Sequence, residues 1–344
     1  MPRILIIRLS AIGDVIMASP IIAVLRARFP DARLAWLVQP EAAALLQANA
    51  ALDDVIVWPR ADWRRLLRSG RWWQLLREMR AFVGSLRRQR FDLALDLQGL
   101  MKSGVWAWLS GARERVGLGS KEGSRIFMTR VIEKPRGETR IGAEYRYLAA
   151  ALGMTAEPFA MHIALSAADR AFAGRFIKDH ALDPGYAVIC PFTTRPQKHW
   201  LDPAWAALVR QLQREFGLKI VMLGGPGDRT AARAITGVAA SIVDATGQTS
   251  LREAAALIER ARLLVGVDTG LMHMGTAFGI PTIALFGSTR PYLVTDSDNT
   301  VVLYKALPCS PCHRRPTCGG FYTCMRGIAP DEIVATARRL LGHI

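Results

Sequence analysis

Short apolar runs alternate with stretches whose apolar positions recur at helical spacing, and this alternation continues almost from end to end. Residues 3–8 read as a buried strand, followed by a loop at 9–14 and helical sequence to Phe29, with Pro20 restarting the helix after Ser19. Strands at 33–38, 55–58, 91–97 and 113–117 continue the pattern, with helices at 41–48, after Gly99 and at 144–152. The second half repeats it. Strands are expected at 186–191, 218–223, 242–245, 263–267, 282–286 and 300–304, with helices at 203–216, from about Arg229, after a Ser250 to Glu253 capping box, from about Gly270 to Phe278, and at 330–341. Patterning weakens between Thr155 and Gly185, the expected connection between two domains. Strand–helix alternation of this kind predicts an α/β fold of doubly wound, Rossmann-like parallel sheets.

Residues 263–287 form the tightest such unit. An apolar strand stops at Asp268-Thr269-Gly270, a helix follows, Gly279 and Pro281 end it, and a β-branched apolar run forms the next strand. A strand's carboxyl end and the next helix's N-terminus share one edge of such a unit, where unpaired N–H groups and the helix dipole favour an anion such as a diphosphate. An ordinary turn capped by Asp268 or Thr269 accounts for the same residues. Loops at Thr193, Gly224 and Asp268 fall on one edge of the second sheet, the expected donor side. In the first half, the 9–14 loop has a single glycine in place of G-x-G-x-x-G, and no acidic residue ends the second strand, which argues against a nicotinamide dinucleotide. Asp14 is then either a carboxylate stabilising a first helical turn or a general base facing the crevice. Gln98, Gly99 and Lys102 place further polar groups at a strand's carboxyl edge.

Composition narrows the partners. A length of 344 residues suits two domains, and half of the residues are apolar. No window is long and apolar enough for a membrane span and the chain opens directly on a strand, so a cytosolic protein is expected. The formal charge of +16 implies an anionic partner: nucleic acid, an acidic membrane face or phosphorylated substrates. Between Arg60 and Arg90 there are ten arginines against Asp62 and Glu78, interleaved with Trp63, Trp72, Trp73 and aliphatic residues. Such basic amphipathic helices suit an anionic lipid surface; a solvated face with its tryptophans packed inward is the alternative. Cys309, Cys312, Cys318 and Cys324 have C-x2-C-x5-C-x5-C spacing, of which only the first pair has the short interval usual for zinc, so free thiols are expected before a zinc site.

Four strings together carry a resemblance: AIGD in the first loop, LDLQGLMKSG at 95–104, TTRPQKHW at 193–200 and VDTGLMHMGTAFGIPTIALFGST at 267–289. In this order they resemble the ADP-heptose:lipopolysaccharide heptosyltransferases, glycosyltransferase family 9, most closely its heptosyltransferase I branch. The resemblance implies a GT-B fold, with an N-terminal acceptor-binding Rossmann-like domain over 1–165, a C-terminal nucleotide-sugar domain over 166–328 facing it across a cleft, and a final helix at 329–344 packing back on the first domain. It implies Asp14 as general base of an inverting transfer, and Thr193, Thr194, Lys198, Asp268, Thr269, Gly270 and His273 as contacts to the donor. His273 serves equally as an internal hydrogen-bonding group. Gln98, Gly99 and Lys102 are implied contacts to a phosphorylated acceptor. The donor is expected to be ADP-heptose and the acceptor lipopolysaccharide core or Kdo-lipid A, with the enzyme peripheral at the inner face of the cytoplasmic membrane and no nucleic acid bound. No cofactor is expected to be required, though a divalent cation can stimulate. Another sugar or acceptor in the same family and a nucleotide-sugar epimerase are alternatives, and a nucleic-acid-binding protein is a more distant one because it gives the glycine-edged units no role.

Overall fold

The computed structural model describes the chain apart from residues 136, 156, 238–240, 313–314 and 343–344. The strands are β1 (Arg3–Ile7), β2 (Arg33–Val38), β3 (Asp54–Val57), β4 (Leu93–Asp96), β5 (Glu114–Leu118), β6 (Arg130–Ile132), β7 (Tyr186–Cys190), β8 (Lys219–Met222), β9 (Ile242–Asp244), β10 (Leu263–Val267), β11 (Thr282–Phe286) and β12 (Thr300–Tyr304). They form two six-stranded sheets, ordered β3-β2-β1-β4-β5-β6 and β12-β11-β10-β7-β8-β9. All pairings in both are parallel. Counting from β7, the second order is the first one repeated. In each, strand order reverses beside the central strand, between β1 and β4 and between β7 and β10, and doubly wound sheets bind ligands outside the carboxyl ends of the strands at that point.

The chain divides into two compact units, Met1–Glu138 with Gly142–Ala164, and Leu165–Ile344 with Thr139–Ile141. The three-residue exchange has a local cause: Ile141 N donates to Val294 O at 2.8 Å. β1, β2, β7, β10 and β11 are almost wholly buried, as expected of strands covered on both faces by crossover helices.

Several local expectations change. The 41–48 helix shortens to Pro40–Ala43, followed by tight turns in which Leu45 N and Leu46 N bond the carbonyls three residues back. The weakly patterned 155–185 region contains a helix, Ala167–Asp179, opened by a reciprocal cap in which Ser166 N donates to Asp169 Oδ2 at 2.8 Å and Asp169 N to Ser166 Oγ at 3.2 Å. β6 is a further strand that sequence patterning missed, being only three residues long and running from exposed Arg130 to buried Ile132. The last helix, Pro330–Leu341, clusters with the second unit. Ile333, Val334, Ala337 and Leu340 enter that unit's core, while Gln211 donates to Asp331 and Arg338 pairs with Glu215, both partners lying on helix Asp202–Phe216.

Candidate active site

In the first unit the site is built around an arginine. β1 runs straight into Arg8, whose buried guanidinium donates to Leu97 O at 3.2 Å and lies 6.0 Å from the centre of the Tyr145 ring. Burial works against its charge, but Tyr145, Asp14 and Glu144 outweigh that and raise its pKa, so Arg8 is a fixed cation. It pairs with Asp14 at 2.6 Å. Asp14 sits in the first turn of helix Ile12–Ala18 and also accepts from Ala11 N at 3.0 Å. The capping reading of Asp14 therefore holds, yet it does not exhaust the carboxylate. Both contacts fall on Oδ2, and 36 % of the side chain is exposed.

The neighbouring strand end is organised by buried Asp96, which accepts from Gln98 N, Gly99 N and Ser103 Oγ at 2.9–3.1 Å. Burial pushes its carboxyl above the usual carboxylate value despite those bonds. Gln98 spends its amide oxygen on Leu9 N at 3.1 Å, tying the two loops together. Gly99 is required by close approach, since a Cβ there would lie 2.6 Å from Leu118 O. Of the three expected acceptor contacts, Lys102 is the one that brings a polar head to this edge. Its ammonium lies 3.5 Å from Ser10 Oγ, and burial, with the charges of Arg60 and Arg8, lowers its pKa.

In the second unit the loop after β7 is closed by His199, whose Nε2 lies 2.8 Å from Thr193 O, and a single 3-10 turn, Pro196–Lys198, aims Lys198 at the end of β10. Lys198 Nζ meets Asp268 Oδ2 at 2.5 Å, and Thr289 Oγ1 donates to the same oxygen at 2.6 Å. His273 Nε2 stands 3.6 Å from Asp268 Oδ1, and its buried Nδ1 has no hydrogen-bond partner among the described residues. Burial alone would raise the Asp268 carboxyl; His273 and Lys198 together outweigh it and hold it well below the usual carboxylate range. Asp268 thus stays ionised and turns away from capping duty. Helix Gly270–Phe278 begins at Thr269 with no side-chain cap, which leaves its first-turn N–H groups to an outside acceptor. The structure brings Lys198, Asp268, Thr269, Gly270 and His273 together. Thr193 contributes its carbonyl to the loop closure, and Thr194 is exposed on the same loop.

The four clustered cysteines are free thiols that line one small hollow with Gln197 and Ser288. Burial pushes the Cys324 thiol up. Among the described residues no three histidine, cysteine or carboxylate side chains are arranged to hold a metal ion; His313 lies outside them.

The sequence profile of glycosyltransferase family 9 (heptosyltransferase) matches residues 79–322, which include the strand-end loops at Gln98, Thr193 and Asp268. The chain belongs to this family. It is a glycosyltransferase, and its paired doubly wound units are of the GT-B type. Lipopolysaccharide heptosyltransferase 1 of Escherichia coli (strain K12) is 28 % identical over 300 residues, 85 % of this chain and 90 % of that protein. Lipopolysaccharide heptosyltransferase 2 of the same strain is 26 % identical over 305 residues, 84 % of each chain. The solved structure of E. coli heptosyltransferase WaaC with ADP superposes with a TM-score of 0.69 at 27 % identity, covering 87 % of this chain and 92 % of that one.

Sequence reasoning missed three members of this glycosyltransferase's polar clusters. Arg8 carried a signal, a charge directly after the apolar run Ile4–Ile7. Thr289 ends the 267–289 string but nothing local ties it to Asp268, and Ser10 is one hydroxyl in a loop.

Proposed function

We propose that this glycosyltransferase moves a heptose from ADP-heptose to the inner core of lipopolysaccharide, on an acceptor of the Kdo-lipid A type, with inversion at the anomeric carbon. One observation carries the chemistry: Arg8 and Ala11 N both engage Oδ2 of Asp14, so the carboxylate is oriented while Oδ1 keeps its lone pairs for an acceptor hydroxyl. As that oxygen bonds to the anomeric carbon, its proton passes to Asp14, and the bond from the same carbon to the diphosphate breaks with its electron pair leaving on ADP. Arg8 is a positioning residue. Lys198 and the uncapped first turn of helix Gly270–Phe278 supply positive charge for the departing diphosphate, a role that requires no metal ion. Lys102, with Arg60 nearby, suits the anionic groups of an acidic, phosphorylated acceptor.

The donor assignment draws on the relatives' activity and on the solved relative holding ADP. The higher identity to heptosyltransferase 1 favours transfer of the first heptose. Asp14→Asn tests the base. Turnover is expected to fall about 10³-fold with acceptor KM little changed, and near-normal turnover would remove Asp14 from the mechanism. Product mass from ADP-heptose with Kdo2-lipid A, against an already heptosylated core, tests the acceptor.

A further inference from the structure

The basic segment after β3 resolves into two helices, Arg60–Arg68 and Trp72–Arg88, whose inner and outer faces differ. Trp63, Leu75, Phe82 and Leu86 turn inward, and Trp63 packs edge to face or tilted with Trp58, Phe82 and Trp106. The outer face is not an ordinary solvated one. Trp73 is 84 % exposed and Trp72 58 %, and Leu76 and Met79 follow Trp72 at four and seven residues, so the exposed apolar side chains share one helical face. Leu67, on the preceding helix, is exposed as well. Beside the patch along the same helix and its N-cap, Arg71, Arg77 and Arg80 make no ion pair among the described residues, nor do Arg64 and Arg68 on the preceding helix.

We infer that this face, with Trp72, Trp73, Leu76 and Met79 at its centre and unpaired arginines around them, is a docking surface for an anionic lipid bilayer. Arginine heads meet lipid phosphates while the indoles sit at the headgroup boundary and the aliphatic side chains enter the acyl region. A nucleic acid would engage the arginines and stack on the indoles, whereas a bilayer also buries Leu76 and Met79 in its acyl region, and two copies of so basic a face repel each other. The segment also begins at the acceptor edge of the first unit, where Arg60 is close enough to Lys102 for the two charges to interact. A lipid-anchored acceptor would meet this edge and the docking face together. The docking surface does not depend on which sugar is transferred.

The test is sedimentation of the full chain with vesicles of phosphatidylglycerol and phosphatidylethanolamine, against neutral phosphatidylcholine vesicles. Binding is expected to the anionic vesicles alone and to weaken as salt rises. Trp72→Ala with Trp73→Ala should lower the partition coefficient about tenfold or more, with unchanged melting and unchanged transfer to a deacylated, water-soluble acceptor. A second pair, Arg77→Glu with Arg80→Glu, should do the same at low salt. No binding of the unaltered chain to anionic vesicles overturns the inference, as does equal binding by both variant pairs. So does loss of single-stranded RNA binding in the tryptophan variant with vesicle binding intact. Because the vesicles contain no acceptor, failure here leaves the transfer reaction standing, and failure of the transfer assay leaves the docking surface standing.

Discussion

At the residue scale, this glycosyltransferase concentrates its charge chemistry in two pairs, Arg8–Asp14 and Lys198–Asp268. The pairs differ in burial. Asp14 leaves about a third of its side chain exposed, whereas Asp268 is largely enclosed and held ionised by Lys198 and His273. Since the folded pKa of Asp268 is depressed below the ordinary 3.8, its stabilising contribution is complete above that value and is lost as pH falls below it. Asp268→Asn should therefore cost about 2 kcal/mol at neutral pH, by leaving a mostly buried ammonium with a weaker partner. The difference from the unaltered protein should shrink as pH is lowered from 5 to 3. Thermal unfolding of both proteins across that range checks it; a difference that stays constant would mean the carboxylate's charge is not what stabilises the site.

At the element scale, the second unit depends on how closely helix Gly270–Phe278 lies against β11. A Cβ on Gly275 would fall 2.4 Å from Thr282 Oγ1, and Thr282 is a stiff, β-branched, fully buried residue that cannot swing aside. Gly275→Ala should destabilise by about 2 kcal/mol and, on the proposed function, weaken ADP binding, because it displaces the helix whose uncapped first turn is proposed to meet the diphosphate. Gly84, in the middle of helix Trp72–Arg88, is the contrast: an added Cβ meets only Arg88 Nη1, at an ordinary 3.5 Å. Gly84→Ala should stabilise by about 0.5 to 1 kcal/mol through helix propensity. Chemical denaturation of the two variants reads the opposite signs directly.

At the scale of the whole molecule, charge and core are divided differently. The 60–90 segment has ten arginines against two acids, and that surplus of eight is half of the formal +16, so the basic excess is concentrated on one pair of helices. The second unit is instead completed by the chain's last helix, whose Ile333 is fully buried in the core beneath β11. Ile333→Ala should cost about 3 kcal/mol and lower the unfolding midpoint together with nucleotide affinity. Isothermal titration with ADP, run beside melting, tests this; loss of acceptor affinity alone would instead tie the helix to the first unit, as the family resemblance had suggested.

The sequence by itself determined the strand–helix alternation, the Pro20 restart, the capping box at Ser250 and the placing of Asp14, Lys102, Lys198 and Asp268 at strand ends. These features are written in the spacing and types of residues within a turn or two of one another, where periodicity and capping act. The helix at Ala167–Asp179 escaped because its cap uses Asp169 where glutamate is the familiar signal, and its periodicity is weak. Only the tertiary structure decided that Arg8 orients Asp14, that Lys198 and Thr289 share Asp268, that Gln98 serves the 9–14 loop, and which tryptophans face outward. Lys198 and Asp268 are 70 positions apart, and their meeting depends on β7 and β10 lying side by side in register. No local pattern encodes that, because the partner of a charge is set by which strand ends the folded sheet brings together.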